Sequence, residues 1–136
     1  MDPDNLRVVP LFASMTEADV RRIATFASED SVAAGATLMR EGDYSNELVA
    51  IESGAADVLQ RGEKVATLGP GDVFGEVGVL RRERRNASIV ARAPMRLIRL
   101  TTFDVKRLPQ ETRDRLSDLV ERRRPPDPTG AASGDA

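Results

Sequence analysis

The sequence contains no histidine, no cysteine and no tryptophan, and its 136 residues include one tyrosine and four phenylalanines. Without histidine and cysteine the common zinc sites cannot form. The Ser-His-Asp and Cys-His arrangements that activate a nucleophile are excluded for the same reason. Acid–base chemistry would depend on carboxylates, lysines or Tyr44 alone. We therefore expect a protein that holds no metal or other cofactor, contains no disulfide bond and is not an enzyme.

The sequence also lacks a large excess of charge of either sign and lacks long apolar runs. The 20 basic and 22 acidic residues leave a net charge of −2, so no basic field favours nucleic acid or an anionic membrane as a partner. No apolar run approaches the roughly 18 residues that a membrane span needs. Met1 to Pro10 lacks the basic and apolar regions of a secretion signal. These absences predict a cytoplasmic protein that binds neither nucleic acid nor membranes.

The apolar pattern changes twice along the chain. Helical spacing predicts a helix from Glu17 to Ser28, with Thr16 as its N-cap and Asp19 three residues further on. Short apolar or alternating runs with glycine turns between them then predict strands, as in a β-barrel or sandwich. The runs are Thr37–Arg40, Glu47–Ile51, Ala56–Gln60, Lys64–Leu68, Ala87–Arg92 and Met95–Leu100. Two further helices are predicted at Thr102–Leu108 and Gln110–Arg124.

Two other segments of the chain have distinct composition. Arg61-Gly62 lies between two predicted strands and indicates the tip of a hairpin. Pro125-Pro126-Asp127-Pro128 ends the last helix, and the residues after it are rich in glycine and alanine. The sequence therefore predicts one domain over residues 6–124 and a disordered tail over residues 125–136.

One glycine-rich stretch interrupts the series of strands. Residues 71–80 contain three glycines, with Glu76 between the second and the third, and four arginines follow within residues 81–85. Glycine lets the backbone approach a ligand, a helical turn after Glu76 would present N–H groups to an anion, and arginine fits phosphate oxygens. Ionised Glu76 only accepts hydrogen bonds, so sugar hydroxyls are its natural partners. The residues predict a phosphorylated sugar ligand, and a loop with solvated arginines is the alternative.

This stretch resembles the phosphate-binding cassette of the cyclic nucleotide-binding domain family. The family pattern is Phe-Gly-Glu-aliphatic-Ala-aliphatic-Leu, a few variable residues, and then Pro-Arg-X-Ala-Ser/Thr-aliphatic. This chain has Phe-Gly-Glu-Val-Gly-Val-Leu at 74–80 and Arg-Arg-Asn-Ala-Ser-Ile at 84–89, and the spacing from Glu76 to Arg85 matches. The resemblance implies a mainly β fold, a double-stranded β-helix (jelly-roll or β-roll) that is flanked by an N-terminal helix and C-terminal helices.

The resemblance also implies the roles of eight residues. Arg85 would pair with the exocyclic oxygen of a cyclic phosphate, and Glu76 would accept the ribose 2′-hydroxyl. The backbone N–H groups of Gly75, Glu76 and Ala87 would add bonds to ribose or phosphate, and Asn86 would lie where some members select the base. Three side chains would shape the pocket wall: Val73, Phe74 and Val77.

Three positions bear on specificity. The proline of the family pattern is Arg84 here, which loosens the backbone, and its alanine is Gly78. The amide of Asn86 can donate and accept hydrogen bonds, so the choice of base stays open. We expect cAMP, the commoner ligand of bacterial members, with cGMP as the second possibility. A bacterial source agrees with 18 arginines against two lysines, a ratio that indicates a GC-rich genome.

The resemblance implies a switch in which ligand orders the cassette and the C-terminal helices close over it. The candidate hinge and lid residues are Phe103, Leu108, Leu116, Leu119 and Val120. Because the sequence ends soon after Val120, we expect a stand-alone sensor or regulatory module that acts on an effector protein or as a homodimer. Three alternatives are a vestigial fold that serves protein–protein interaction or dimerisation, a cupin-like enzyme, and a nucleic-acid binder that uses its arginine clusters.

Overall fold

The computed structural model describes residues 1–43, 47–75 and 87–123, with side chains described through Leu119 in the last helix. Helices come first, eight strands follow, and helices end the described chain. The order of helices and strands is as predicted, but the sequence predicted six of the eight strands. The helices are α1 (Pro3–Leu6), α2 (Glu17–Ala24), α3 (Thr102–Val105) and α4 (Gln110–Arg123), with a 3₁₀ turn at Pro10–Phe12. The strands are β1 (Ser28–Val32), β2 (Thr37–Met39), β3 (Glu47–Ser53), β4 (Ala56–Gln60), β5 (Glu63–Leu68), β6 (Val73–Phe74), β7 (Ser88–Ala91) and β8 (Met95–Thr101).

The strands form two four-stranded antiparallel sheets with the orders β1-β8-β3-β6 and β2-β7-β4-β5. The pairing is nested: the first strand pairs with the eighth, the second with the seventh, the third with the sixth and the fourth with the fifth. A long antiparallel hairpin that is rolled up on itself gives this pairing, and it defines a jelly-roll. The predicted fold class is therefore confirmed.

Two hydrophobic cores lie on opposite faces of the first sheet. Along β3, Leu48 and Ala50 face the helices, while Val49 and Ile51 face the second sheet, because successive side chains of a strand alternate. The helix-side core comprises Leu6, Val9, Leu11, Phe12, Val20, Ile23, Ala24, Ala27, Leu48, Ala50, Val73, Ile98, Leu100, Val105, Leu108 and Leu116. The inter-sheet core comprises Met39, Val49, Ile51, Ala56, Phe74, Ile89, Ala91, Met95 and Leu97.

Helix α2 begins where the sequence predicts and ends four residues earlier. The hydroxyl of Thr16 accepts the N–H of Asp19 at 3.1 Å, as expected for an N-cap. The helix ends at Ala24, and the hydroxyl of Thr25 donates to the carbonyl of Arg22 at 2.6 Å. The prediction that helix continues to Ser28 was wrong, because Ser28 begins strand β1.

The polar character of β1 explains that error. Its sequence, Ser-Glu-Asp-Ser-Val, carries no alternating apolar residues, since it forms an edge strand with mostly exposed side chains. Ion pairs with the neighbouring strand stand in for apolar contacts: Arg96 contacts Glu29 at 3.2 Å, and Arg99 contacts Asp30 at 3.3 Å. Hydrophobic periodicity therefore carries no signal for this strand.

The predicted hairpin tip at Arg61-Gly62 is present between β4 and β5. Both residues have positive φ, +53° at Arg61 and +81° at Gly62, which is the conformation of a type I′ turn. Within the described ranges, Arg61 is the one residue other than glycine in this region of φ.

Candidate ligand-binding site

A tight turn leads the chain into the glycine-rich stretch. Gly71 has φ +91° and donates its N–H to the carbonyl of Ile51 at 2.8 Å, and the N–H of Ile51 donates to the carbonyl of Asp72 at 2.9 Å. The carboxylate of Asp72 accepts the N–H of Gly69 at 2.8 Å and closes the turn. Strand β6 is thus fixed against β3 immediately before the candidate site.

Val73 and Phe74 are core residues on opposite faces of that strand. Both are buried, with Val73 in the helix-side core and Phe74 in the inter-sheet core. Opposite them on β3 are Ala50 and Val49. Their predicted contribution to a pocket wall stays a prediction, whereas their contribution to the two cores is directly visible.

Gly75 is the last described residue before the arginine-rich stretch. Its φ of +88° lies in the left-handed region that L side chains rarely adopt. A glycine is therefore required for the backbone to leave β6 in this direction. The role predicted for its N–H group in ligand binding stays a prediction.

Ala87 and Ser88 mark the other end of the stretch. Ala87 is buried, and Ser88 begins strand β7. Ile89, the next residue, packs in the same inter-sheet core as Phe74. The residues on either side of 76–86 therefore belong to one framework, which the inter-sheet core holds together.

Half of the predicted ligand-binding residues belong to that framework. Val73, Phe74, Gly75 and Ala87 are described by the structure and flank the stretch on both sides. The other four lie outside the described residues: Glu76, Val77, Arg85 and Asn86. The arginines at 81, 82 and 84 also lie outside them.

A cavity of about 410 Å³ opens beside the turn, between the helices and the start of the candidate site. Its walls are Pro10 and Leu11 of the 3₁₀ turn, Gly71 to Val73, and Arg115 and Leu119 of α4. The cavity therefore separates the last helix from the strand that precedes the glycine-rich stretch.

The predicted hinge and lid residues have different surroundings. Leu108 and Leu116 are buried in the helix-side core, and Leu119 is half-buried against it. Phe103 on α3 is 71% exposed, and the side chain of Val120 lies outside the described residues. Two of these leucines therefore hold the C-terminal helices against the body of the domain.

A pair of carboxyl groups lies away from the candidate site, at the junction of α1 with the first sheet. Burial raises the pKa of Glu52 to about 7, and a hydrogen bond with Glu29 and repulsion from it act in the same direction. The hydrogen bond from Glu52 lowers the pKa of Glu29, to which Asn5 and Arg96 also donate. Within the described ranges, no three His, Cys, Asp or Glu side chains converge as a metal site would require.

None of the helices in the described part of the chain has the length and apolar character of a membrane span. Comparison with known protein families gives a match over the β-region and the start of α4. The family described as "Cyclic nucleotide-binding domain" matches residues 29–112. The chain belongs to the cyclic nucleotide-binding domain family. The resemblance that the sequence carries is thereby confirmed, and the match is to a ligand-binding domain with no catalytic family indicated.

Curated members of the family resemble this chain over most of its length. The cAMP-dependent protein kinase regulatory subunit of Schizosaccharomyces pombe is 34% identical over 100 residues, which cover 73% of this chain and 24% of the relative. A cGMP-dependent protein kinase of Caenorhabditis briggsae is 37% identical over 95 residues, with 65% and 13% covered. The chain spans about a quarter of the S. pombe subunit's length. These fungal and nematode relatives do not support the predicted bacterial source.

Solved structures share the fold. A structure described as cAMP-bound PfPKA-R superposes with a TM-score of 0.82 at 25% identity, covering 88% of this chain and 43% of that one. The catabolite activator protein of Thermus thermophilus gives a TM-score of 0.74 at 28% identity, with 84% and 57% covered. The jelly-roll and its flanking helices are therefore those of the cyclic nucleotide-binding domain.

Sequence reasoning located the glycine-rich stretch but missed the side chains that fix its ends. Asp72 closes the turn before it, and the hydroxyl of Ser88 accepts the N–H of Glu41 at 3.0 Å just after it. The Gly-Pro-Gly-Asp sequence at 69–72 is a turn signal that predicts the first turn, although not the hydrogen bond that the Asp72 side chain accepts. The second joins residues 47 positions apart, and no local pattern marks it.

Proposed function

We propose that this chain binds cAMP in the stretch between Gly75 and Ala87 and acts as a regulatory module. The observation that carries the proposal is the framework at both ends of that stretch, inside a domain of the cyclic nucleotide-binding family. Curated relatives are regulatory subunits named for dependence on cAMP, which favours cAMP over cGMP. One relative is named for dependence on cGMP, so cGMP is tested as the second candidate ligand.

The proposed contacts follow the chemistry of the residue types. Arg85 pairs with the exocyclic oxygen of the cyclic phosphate through a charge-assisted hydrogen bond, and Glu76 accepts the ribose 2′-hydroxyl. The backbone N–H groups of Gly75, Glu76 and Ala87 donate to ribose or phosphate. Asn86 contributes to the selection of the base, and the wall residues are Val73, Phe74 and Val77.

The regulatory step is a movement of α4. The cavity of about 410 Å³ between α4 and the segment Gly71 to Val73 leaves room for the helix to approach the nucleotide site. Leu116 anchors the helix in the helix-side core, and half-buried Leu119 lines the cavity. Ligand can favour the closed position only by binding it more tightly than the open one.

The partner of the closed state is an effector protein or a second copy of the chain in the cytoplasm. The names of the fungal relatives as kinase regulatory subunits support an effector protein. Action as a stand-alone sensor stays a prediction. Purification of the chain from its own source, with identification of any protein that purifies with it, would test this prediction.

Isothermal titration with cAMP and cGMP tests the proposed ligand. We expect micromolar binding of cAMP and weaker binding of cGMP. Arg85→Ala should reduce the affinity by roughly 10- to 100-fold, the effect of losing one hydrogen bond between charged groups. Arg84→Ala is the matched control, since it removes the same charge one residue away from the position that the family uses. It should change the affinity by less than about threefold.

The controls separate a specific site from general attraction. Equal losses in Arg84→Ala and Arg85→Ala, with a steep dependence on salt, would indicate that the arginine cluster attracts the phosphate without a defined site. No heat with either nucleotide, from a chain that unfolds cooperatively, would contradict the proposed function and favour an interaction module.

A further inference from the structure

A hydrogen bond links the end of the glycine-rich stretch to a distant loop. The hydroxyl oxygen of Ser88, the first residue of β7, accepts the backbone N–H of Glu41 at 3.0 Å. Strands β2 and β7 pair at Thr37 and Met39, with a register shift between them, and Glu41 lies two residues after the end of β2. The Ser88 bond therefore extends the connection beyond the last ladder pair, which joins Met39 to Ile89.

A second hydrogen bond connects the same loop to the hairpin tip. The carboxylate of Glu41 accepts the backbone N–H of Arg61 at 3.1 Å. Arg61 holds φ at +53° in the turn between β4 and β5. Ser88 also lies opposite Leu59 of β4 in the sheet. Ser88, Glu41 and Arg61 thus join β7, the loop after β2 and the hairpin in one arrangement, which we call the Ser88–Glu41 clasp.

We propose that Ser88 and Glu41 are positioning residues for the nucleotide site, which they serve by fixing the chain just after Arg85. Covalent geometry links the clasp to that arginine: three residues span at most about 11 Å, because an extended chain advances about 3.6 Å per residue. The inference rests on the proposed function, since it assigns the clasp a purpose in ligand binding.

The clasp acts on affinity through preorganisation. If the start of β7 were loose, ligand binding would have to order it, and the entropy of ordering would be subtracted from the affinity. With Ser88 held by Glu41 on one side and by β4 on the other, that ordering is complete before the ligand arrives. Neither side chain needs to touch the nucleotide.

Titration of the whole chain with cAMP tests the clasp. Ser88→Ala removes the acceptor, and the dissociation constant should rise by about three- to tenfold. Ser88→Thr restores a hydroxyl and should return the affinity to the wild-type value. Glu41→Ala keeps the backbone N–H but releases the hairpin tip, so it should give a smaller rise. Arg61→Gly keeps the N–H that Glu41 accepts and should leave the affinity unchanged.

Hydrogen exchange of the free protein provides a second readout. In Ser88→Ala, amides 85–88 should exchange faster, while those of β8 should keep their protection. A role in overall stability alone would instead accelerate exchange throughout the domain.

The outcomes distinguish the clasp from the proposed function. If the wild-type chain binds cAMP and Ser88→Ala binds it equally well, the inference is overturned and the proposed function stands. If Ser88→Thr binds as weakly as Ser88→Ala, the inference is also overturned, because a restored acceptor should rescue binding. If the wild-type chain binds neither nucleotide, both proposals fail. Should Ser88→Ala not fold, the loss in Glu41→Ala relative to Arg61→Gly decides the question.

Discussion

Glu29 and Glu52 lie on the two strands that flank β8 in the first sheet, close enough for each carboxyl group to shift the pKa of the other. Arg96 of β8 lies 3.2 Å from the carboxylate of Glu29 and 3.9 Å from that of Glu52. Glu52 occupies a register shift between Ile51 and Ser53, and its side chain is 10% exposed. Burial, with the neighbouring Glu29 carboxylate, raises the pKa of Glu52 to about 7, so the more buried of the two carboxyl groups retains its proton.

This retained proton predicts that stability falls as the pH rises through neutrality. The folded pKa of Glu52, about 7, lies above its ordinary value of 4.5, so the folded state holds a proton that the unfolded state has released. The stabilisation is complete below about pH 4.5 and is lost as the pH rises through 7. Between about pH 5 and pH 8 the free energy of unfolding should fall by on the order of 1–3 kcal/mol. Urea unfolding across this range measures it.

Glu52→Gln identifies the source of that slope. The amide stays neutral and can still donate to Glu29, so the variant should keep the stability of the acidic form up to pH 8. Glu63→Gln, which removes an exposed carboxylate from the edge strand β5, changes the net charge equally and should keep the wild-type slope. If the slope is the same in all three proteins, the carboxyl pair is not its cause.

Gly54→Ala should destabilise the domain more than an alanine at another glycine of similar φ. Gly54 has φ +93°, and an added Cβ would lie 2.5 Å from the carbonyl oxygen of Pro94 and 2.7 Å from Cγ of Met95. Gly35 has φ +90° with nothing within 4 Å of an added Cβ. Both variants incur backbone strain, and only Gly54→Ala adds a collision, so its loss should be larger by about 1–3 kcal/mol. Denaturant unfolding measures the stability of both variants. Equal losses would mean that the loop of Gly54 moves away from Pro94 and Met95 without a cost in stability.

The elements that sequence predicted well are those with apolar runs or apolar alternation. Strands β3 and β8 each have four apolar residues among seven, at 48–51 in β3 and at 95, 97, 98 and 100 in β8, so the hydrophobic pattern locates them. Strand β1 was not predicted, because ion pairs hold it in place of apolar contacts. Strand β6 was not predicted either, because two residues are too few to show a period. Contacts with strands that are distant in the sequence determine these two elements, and the local sequence pattern does not show such contacts.

The candidate site was predictable in part for a different reason. The order of Gly75, Glu76 and Arg85 carries the family pattern, which is local and easily read. The clasp between Ser88 and Glu41 depends on the nested pairing of strands, which brings together residues 47 positions apart. Serine and glutamate are common in surface loops, so their contact could be found only once the fold was known.

Leu116→Ala should separate the docking of α4 from the stability of the sheets. Leu116 is fully buried in the helix-side core, and the variant should cost about 2–5 kcal/mol of unfolding free energy, the usual effect of a cavity in a core. Leu119→Ala, one turn further on and half-buried beside the cavity, makes the same change in helix propensity and should cost about 1 kcal/mol. In hydrogen exchange, Leu116→Ala should accelerate α4 more than β7, because the buried residues of β7 belong to the inter-sheet core, which does not include this leucine. Equal acceleration of both elements would mean that α4 and the jelly-roll unfold as one unit, and movement of α4 alone would then be ruled out as the regulatory step.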